Sequence, residues 1–247
     1  MVQNRSSAVM QQRTEAIDAL DDFPTPPWAT RAAIELLEPL WDRWSPVPLR
    51  ALDAREPCAN RGYMVRPLRE RFAKVIASDV HDYGAGFPLG DYLFPGEMEP
   101  ANIVCMNPPF NMGPEFILKS FETPGWLATA AIVRTSFLEG KTRYERLFSQ
   151  RPPTLIAQHV ERVIMHKGTV RDPDKLYWDG AQWKKPSTAT SYCWLFWLDE
   201  VPPQPFAWIP PCRRRLERPG DYDNITIEAS NRLSDGGQAC TNSQELL

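Results

Sequence analysis

Hydrophobic and polar positions change period several times along this chain, and each change marks an element. Ala32, Ala33, Leu36, Leu37 and Leu40 recur at helical spacing after the stiff stretch Asp22-Phe23-Pro24-Thr25-Pro26-Pro27-Trp28. That predicts a helix, ended by Ser45-Pro46-Val47-Pro48. Residues 49–54 read as a first strand and 55–62 as a loop. A helix follows with Met64, Val65, Leu68 and Phe72 on one face. Pro67 should kink or shorten it, because proline lacks the N–H and crowds the preceding turn. Lys74-Val75-Ile76-Ala77-Ser78-Asp79 reads as a second strand closing on an acid. Residues 81–100 are loop-rich, with a short strand or turn near Asp91-Tyr92-Leu93. Ile103-Val104-Cys105-Met106 is a third strand. A helix over 114–121 should bury Phe116, Ile117 and Phe121. A strand over 126–133 and a helix carrying Tyr144, Leu147 and Phe148 complete the alternation.

Beyond Pro152-Pro153 the pattern changes. Residues 154–165 and 192–198 both read as strands with no helix between them. Alternating strands and helices predict a parallel sheet, and the closing pair predicts an antiparallel hairpin at one edge. The fold class is therefore α/β, doubly wound and mostly parallel. Residues 1–22 read as a flexible arm, 23–212 as one domain, and 213–247, with its Arg213-Arg214-Arg215 run, as a polar tail.

Composition narrows the function classes. Formal charge is −3, so nucleic acid is announced by no global basic field, and contact with a polyanion must be local. The five cysteines show no CxxC pairing and the three histidines are far apart, which predicts neither a disulfide frame nor a metal site. No apolar run nears the ~18 residues of a membrane span, and the polar N-terminus has no signal-peptide core. A cytoplasmic protein with no membrane partner is expected.

The chemistry concentrates at Asn107-Pro108-Pro109-Phe110, directly after the third strand. The side-chain carbonyl of Asn107 and the main-chain carbonyl of Pro108 are two acceptors suited to an exocyclic amine. Proline restricts itself and the residue before it, so both acceptors are held. Phe110 offers a face for a base to stack on. Proline is abundant, 25 of 247 residues, so a Pro-Pro pair alone means little. The flanking amide, the aromatic and the preceding strand are what single this one out.

This stretch resembles motif IV of the S-adenosylmethionine-dependent amino-methyltransferases, the group that methylates adenine N6 in DNA. Glu56-Pro57-Cys58-Ala59-Asn60-Arg61-Gly62 resembles their motif I, with Asn60 in place of the first glycine of the usual Gly-x-Gly. Asn tolerates left-handed backbone better than other non-glycine residues, so the turn should survive. Phe23-Pro24-Thr25-Pro26-Pro27 resembles motif X. Asp79 and Asp91 fall where motifs II and III would place groups for the ribose and near the adenine. The resemblance covers residues 22–150 and fades beyond them.

It implies a Rossmann-like methyltransferase sheet and S-adenosylmethionine as cofactor. Thr25, Pro26, Glu56, Pro57, Cys58, Ala59, Asn60, Gly62, Asp79 and Asp91 would hold it. Asn107, Pro108, Pro109 and Phe110 would carry the chemistry, with DNA as partner and no metal. The 167–190 insertion, with Lys167, Arg171, Lys175, Lys184 and Lys185 among aromatics, is the candidate target contact; an edge loop whose charges pair with Asp172, Asp174 and Asp179 is the alternative.

Rival readings remain open at this point. The same amine-gripping device would serve RNA adenine or a glutamine side chain of a protein. A nicotinamide oxidoreductase shares the strand, loop and acid, but Gly-x-Gly-x-x-Gly is absent and Asn107-Pro108-Pro109-Phe110 has no role there. A non-enzymatic nucleic-acid-binding module with a degraded cofactor loop is favoured only by Asn60.

Overall fold

The computed structural model describes residues 21–223. Helix α1, Pro27–Trp44, begins with proline in its first turn, where the missing N–H costs no hydrogen bond. It buries Trp28, Ala29, Ala32, Ala33, Ile34, Leu37, Leu40 and Trp41 against the sheet. Strand β1 is Asp53–Glu56, later than the pattern predicts, because Leu49–Ala51 closes a tight helical turn after Pro48. Arg55 and Glu56 therefore stand in the strand, not in the loop. Helix α2, Val65–Arg69, lasts five residues, and Pro67 limits it as expected. Then come β2, Lys74–Ala77; β3, Ile103–Met106; α3, Gly113–Ser120; and β4, Ala128–Arg134. Helix α4, Lys141–Arg143, widens into a π turn over Tyr144–Phe148.

Strand β5 is Leu155–His159, so the run expected to reach residue 165 leaves the sheet six residues early. The insertion carries its own hairpin, β6 (Tyr177–Trp178) with β7 (Trp183–Lys184). Strand β8 is Tyr192–Leu198; β9, Ala207–Ile209, was not legible as a strand; α5 is Arg213–Leu216.

The main sheet has seven strands in the order β2-β1-β3-β4-β8-β5-β9. β8 runs antiparallel to β4 and β5, and the remaining neighbour pairs are parallel. The α/β, mostly parallel sheet with an antiparallel hairpin is thus what the chain forms, with β9 added outside the hairpin. Both faces are buried. Trp194, Phe196 and Leu198 of β8 face the α1 core, while Cys193, Leu195 and Trp197 face the α3 core. The two-residue period of a strand divides one continuous apolar run between two cores.

The tail begins later than 213. Arg213 is buried and bonds Glu161, Asp174 and Glu217. Arg215 pairs with Glu35. Asp221 reaches back to buried Arg31, which also holds Glu70. Arg215 and Asp221 thus fasten the segment to α1, while Arg213 ties it to the stretch after β5 and to the insertion. The arm is likewise shorter at its C-terminal end, since Asp21 and Asp22 are placed against the site; its first 20 residues lie outside the described residues, as does the tail after 223. Among the described residues no helix is long and apolar enough to cross a membrane.

Candidate cofactor cleft and catalytic loop

Four segments meet at the carboxyl ends of β1, β2 and β3, the place where parallel sheets of this class open into a crevice. They are residues 21–25, the loop after β1, the loop after β2 and the loop after β3. Between them lies a cleft of about 710 Å³ that is open to solvent. Of the expected residues, Thr25, Pro57, Cys58, Ala59, Asn60, Asp79, Asn107 and Pro109 line it.

Glu56 ends β1 with no exposed surface. Its Oε1 accepts from Cys58 N at 2.9 Å, while its Oε2 has no partner among the described residues. Burial holds this carboxyl well above its usual range; the Cys58 N–H opposes the shift and the Asp79 charge adds to it. Cys58 is pushed up as well, first by burial and then by the charges of Glu56 and Asp79.

Asn60 adopts φ 49°, the left-handed turn expected of the residue in the glycine position. Its Nδ2 donates to Asp22 Oδ1 at 2.7 Å, and its Oδ1 accepts from Arg61 N at 2.7 Å. Gly62, at φ 82°, faces Phe87 so closely that a Cβ would lie 3.0 Å from the ring, so both conformation and space require glycine there. Asp79 clamps the loop: its Oδ2 accepts from Asn60 N at 2.9 Å and its Oδ1 from His81 N at 3.0 Å. Asp79 is therefore a cap as well as a cleft residue, with lone pairs left for a ligand.

Asp91 departs from expectation. It is exposed, outside the lining, and its Oδ1 accepts from Leu93 N at 2.9 Å as an ordinary turn cap. Gly90 and Tyr92 line the cleft instead, while Asp91 opens a turn closed by Phe94 N donating to Asp91 O at 3.1 Å. Pro26 also lies outside the lining; its carbonyl accepts from Ala29 N at the start of α1. Thr25 is buried, lines the cleft, and its hydroxyl has no partner among the described residues.

Asn107 is held by its amide: Nδ2 donates to Phe23 O at 2.8 Å. That contact orients the side chain and leaves Oδ1, like the carbonyl of Pro108, without a described protein donor. Pro109 O accepts from Met112 N at 3.0 Å, closing the loop into α3. Phe110 does not present a bare face. The Arg134 guanidinium lies 3.6 Å from its ring centroid, and the Phe23 ring packs beside it at 5.5 Å. A second, solvent-open pocket of about 570 Å³ lies beyond the loop, bordered by Pro108, Phe110, Arg134 and Phe137.

Several cleft residues escaped sequence reasoning: Asp21, Tyr63, Met64, Tyr92 and Phe116. Asp21 and Asp22 sat in what read as a polar arm, and their only signal was adjacency to the proline stretch. The segment His81-Asp82-Tyr83, which follows Asp79 and reads in sequence as either pocket lining or a solvated loop, brings Tyr83 to the cleft, where Arg61 stacks over its ring at 4.9 Å.

In the insertion, Lys175 pairs with Asp172 and Lys184 with Asp179, while Arg171 stacks on Tyr177 at 3.7 Å. Lys167 and Lys185 are exposed. Trp178 and Trp183 present an exposed edge-to-face ring pair. Among the described residues, no group of three His, Cys, Asp or Glu side chains could hold a metal ion.

No known family profile matches the sequence, and no curated protein is significantly similar to it. Solved structures with a similar chain path include a protein of Thermoplasma acidophilum, 16% identical over 74% of this chain and 92% of that one, at a TM-score of 0.43. The 23S rRNA methyltransferase ErmE is 13% identical, with 72% and 70% covered, at 0.42. A dimethyladenosine transferase from Plasmodium falciparum is 13% identical, with 60% and 55% covered, at 0.38.

Proposed function

We propose that this chain transfers a methyl group from S-adenosylmethionine to an exocyclic amine, N6 of adenine in DNA. The observation that carries the reading is the pinned amide of Asn107. Its nitrogen is committed to Phe23 O, so its oxygen is the atom offered to a substrate, at the rim of the cleft that Thr25 and Asp79 also line.

The cleft fits the cofactor by its donor set. The Thr25 hydroxyl, without a partner among the described residues, suits the polar amino-acid end, and an ammonium near the buried Glu56 carboxyl would draw it back toward its ionised form. Asp79 retains acceptor capacity for ribose hydroxyls, and Tyr83 and Tyr92 supply apolar walls. When bound, the cofactor supplies an electrophilic methyl group on a sulfonium.

Asn107 Oδ1 and Pro108 O would accept from the two amine hydrogens, turning the nitrogen lone pair out of conjugation and toward the methyl. Fixed acceptors need no reorganisation as charge develops, which is where such a site gains rate. In duplex DNA the base must leave the stack to reach this loop. Arg134 then has to yield the face of Phe110 that it covers. The aromatic hairpin of the insertion, with Trp178 and Trp183, favours a nucleic acid over a glutamine side chain.

The test is methyl transfer from tritiated S-adenosylmethionine to duplex DNA, RNA and a glutamine peptide in parallel. Asn107→Ala should bind cofactor as wild type does and lose on the order of 10²-fold in transfer. Full activity of Asn107→Ala would refute the site. Labelling of RNA or peptide alone would keep the chemistry and replace the substrate.

A further inference from the structure

Resting on the methyl-transfer reading, we infer that Asp21 is the group that takes up the proton released by the methylated amine. The reaction forms an N–C bond and breaks the S–C bond, and the positive charge passes from sulfur to nitrogen. The nitrogen must then lose a proton. Asn107 and Pro108 offer only amide carbonyls, which are too weakly basic to keep one near neutral pH. The loop that grips the amine therefore holds no base of its own.

Asp21 is bonded to that loop. Its Oδ2 accepts from the backbone N–H of Phe110, and it lines the same cleft as Asn107 and Pro109. The next turn of the same segment holds the amide of Asn107 through Phe23 O. Asp21 and the amine acceptors are thus fixed to one another by two hydrogen bonds from one short stretch.

The other ionisable groups of the cleft are on the cofactor side or poorly suited. Asp79 clamps the loop after β1 through Asn60 N and His81 N, on the cofactor side. Burial holds Cys58 well up and pushes Tyr83 and Tyr92 to about 12. The Phe110 N–H that Asp21 accepts from belongs to the loop that offers the amine acceptors, away from the cofactor loop. A carboxylate there takes the proton as it leaves nitrogen, becomes a neutral acid, and returns the proton to water as product departs.

Asp21→Asn keeps an oxygen for the Phe110 N–H and removes the base. It should bind S-adenosylmethionine as wild type does and slow single-turnover transfer to an adenine oligonucleotide on the order of 10²-fold. Added formate should restore part of the rate to Asp21→Ala and none to Asn107→Ala. A binding readout stands apart from turnover. With carbon-13-labelled aspartate, the Asp21 carboxyl resonance should shift when an adenine oligonucleotide binds and stay in place with its inosine counterpart, which lacks the amine. Wild-type transfer rates in Asp21→Asn, or equal resonance shifts with both oligonucleotides, would overturn the inference while leaving the methyltransferase reading standing. A wild-type protein that methylates no adenine would overturn both.

Discussion

Replacing Asn60 by glycine removes side-chain hydrogen bonds and relieves one left-handed backbone, so gain and loss can be weighed against each other. The bond from Asn60 Nδ2 to Asp22 Oδ1, 2.7 Å long, has a charged acceptor, and such bonds contribute about 1.5–3 kcal/mol. The bond from Arg61 N to Asn60 Oδ1 is neutral and local, which puts it nearer ~0.5–1.5 kcal/mol. Against this stands the relief at φ 49°, below the ~1–2 kcal/mol of an ordinary L-residue because Asn tolerates this region. Glycine gives back roughly 0.5–1 kcal/mol through the larger freedom of its unfolded chain. The backbone terms nearly cancel and the side-chain bonds decide. Arg61 still holds Asp22 at 2.9 Å after the change, so the lower end applies, a net loss of about 2 kcal/mol. In a domain of this size that lowers Tm by about 4–8 °C. Urea unfolding with an unchanged m-value is the assay, with a double-mutant cycle against Asp22→Ala to isolate the coupling. The cofactor loop should loosen in parallel, weakening S-adenosylmethionine in calorimetry. A Tm equal to or above wild type would refute the reasoning, because it would mean that the glycine of the related motif is simply the better residue here.

Arg31→Ala leaves Asp221 buried without its partner, and should cost about 3–5 kcal/mol in urea unfolding; a loss under 1 kcal/mol would deny the C-terminal segment its anchoring role. His159 is buried, and burial lowers its pKa to about 4 from the usual 6.5 of a histidine. The unfolded chain then binds the proton more readily, so this contribution is full above pH 6.5 and is lost as pH falls toward 4, at most about 3 kcal/mol. His159→Gln should flatten the stability profile in that window, although Trp194 Nε1 loses or exchanges its acceptor; an unchanged slope assigns the acid sensitivity elsewhere, with His166, also lowered to about 4, the next residue to test. If the insertion meets phosphates, neutralising Lys185 should reduce the salt slope of DNA binding by about 0.9. Lys175 and Lys184, already paired with Asp172 and Asp179, should change it less; the wild-type slope in a variant lacking all three would move the contact to another face.

The alternation of apolar runs determined the sheet, because β3 and β8 are buried on both faces and nothing but a two-sided core accommodates them. The same local information placed the turns at Asn60 and Gly62 and the loop at Asn107-Pro108-Pro109-Phe110, since backbone conformation at such residues is restricted before any tertiary contact forms. Tertiary structure alone decided which polar residues have partners. Asp91 and Asp79 look alike in sequence, yet one caps an exposed turn and the other clamps the cofactor loop. Arg213 reads as a tail charge until Glu161 and Asp174 are brought to it from distant segments, and the partners of Arg31, Glu70 and Asp221, likewise come from far along the chain. Asp21 and Asp22 had no periodic signal, and their roles exist only because the chain crosses the cleft between Asn60 and Phe110. Hydrophobic periodicity is a property of neighbours in sequence and can be read there. The pairing of charges and amides depends on neighbours in space, which the fold must first create.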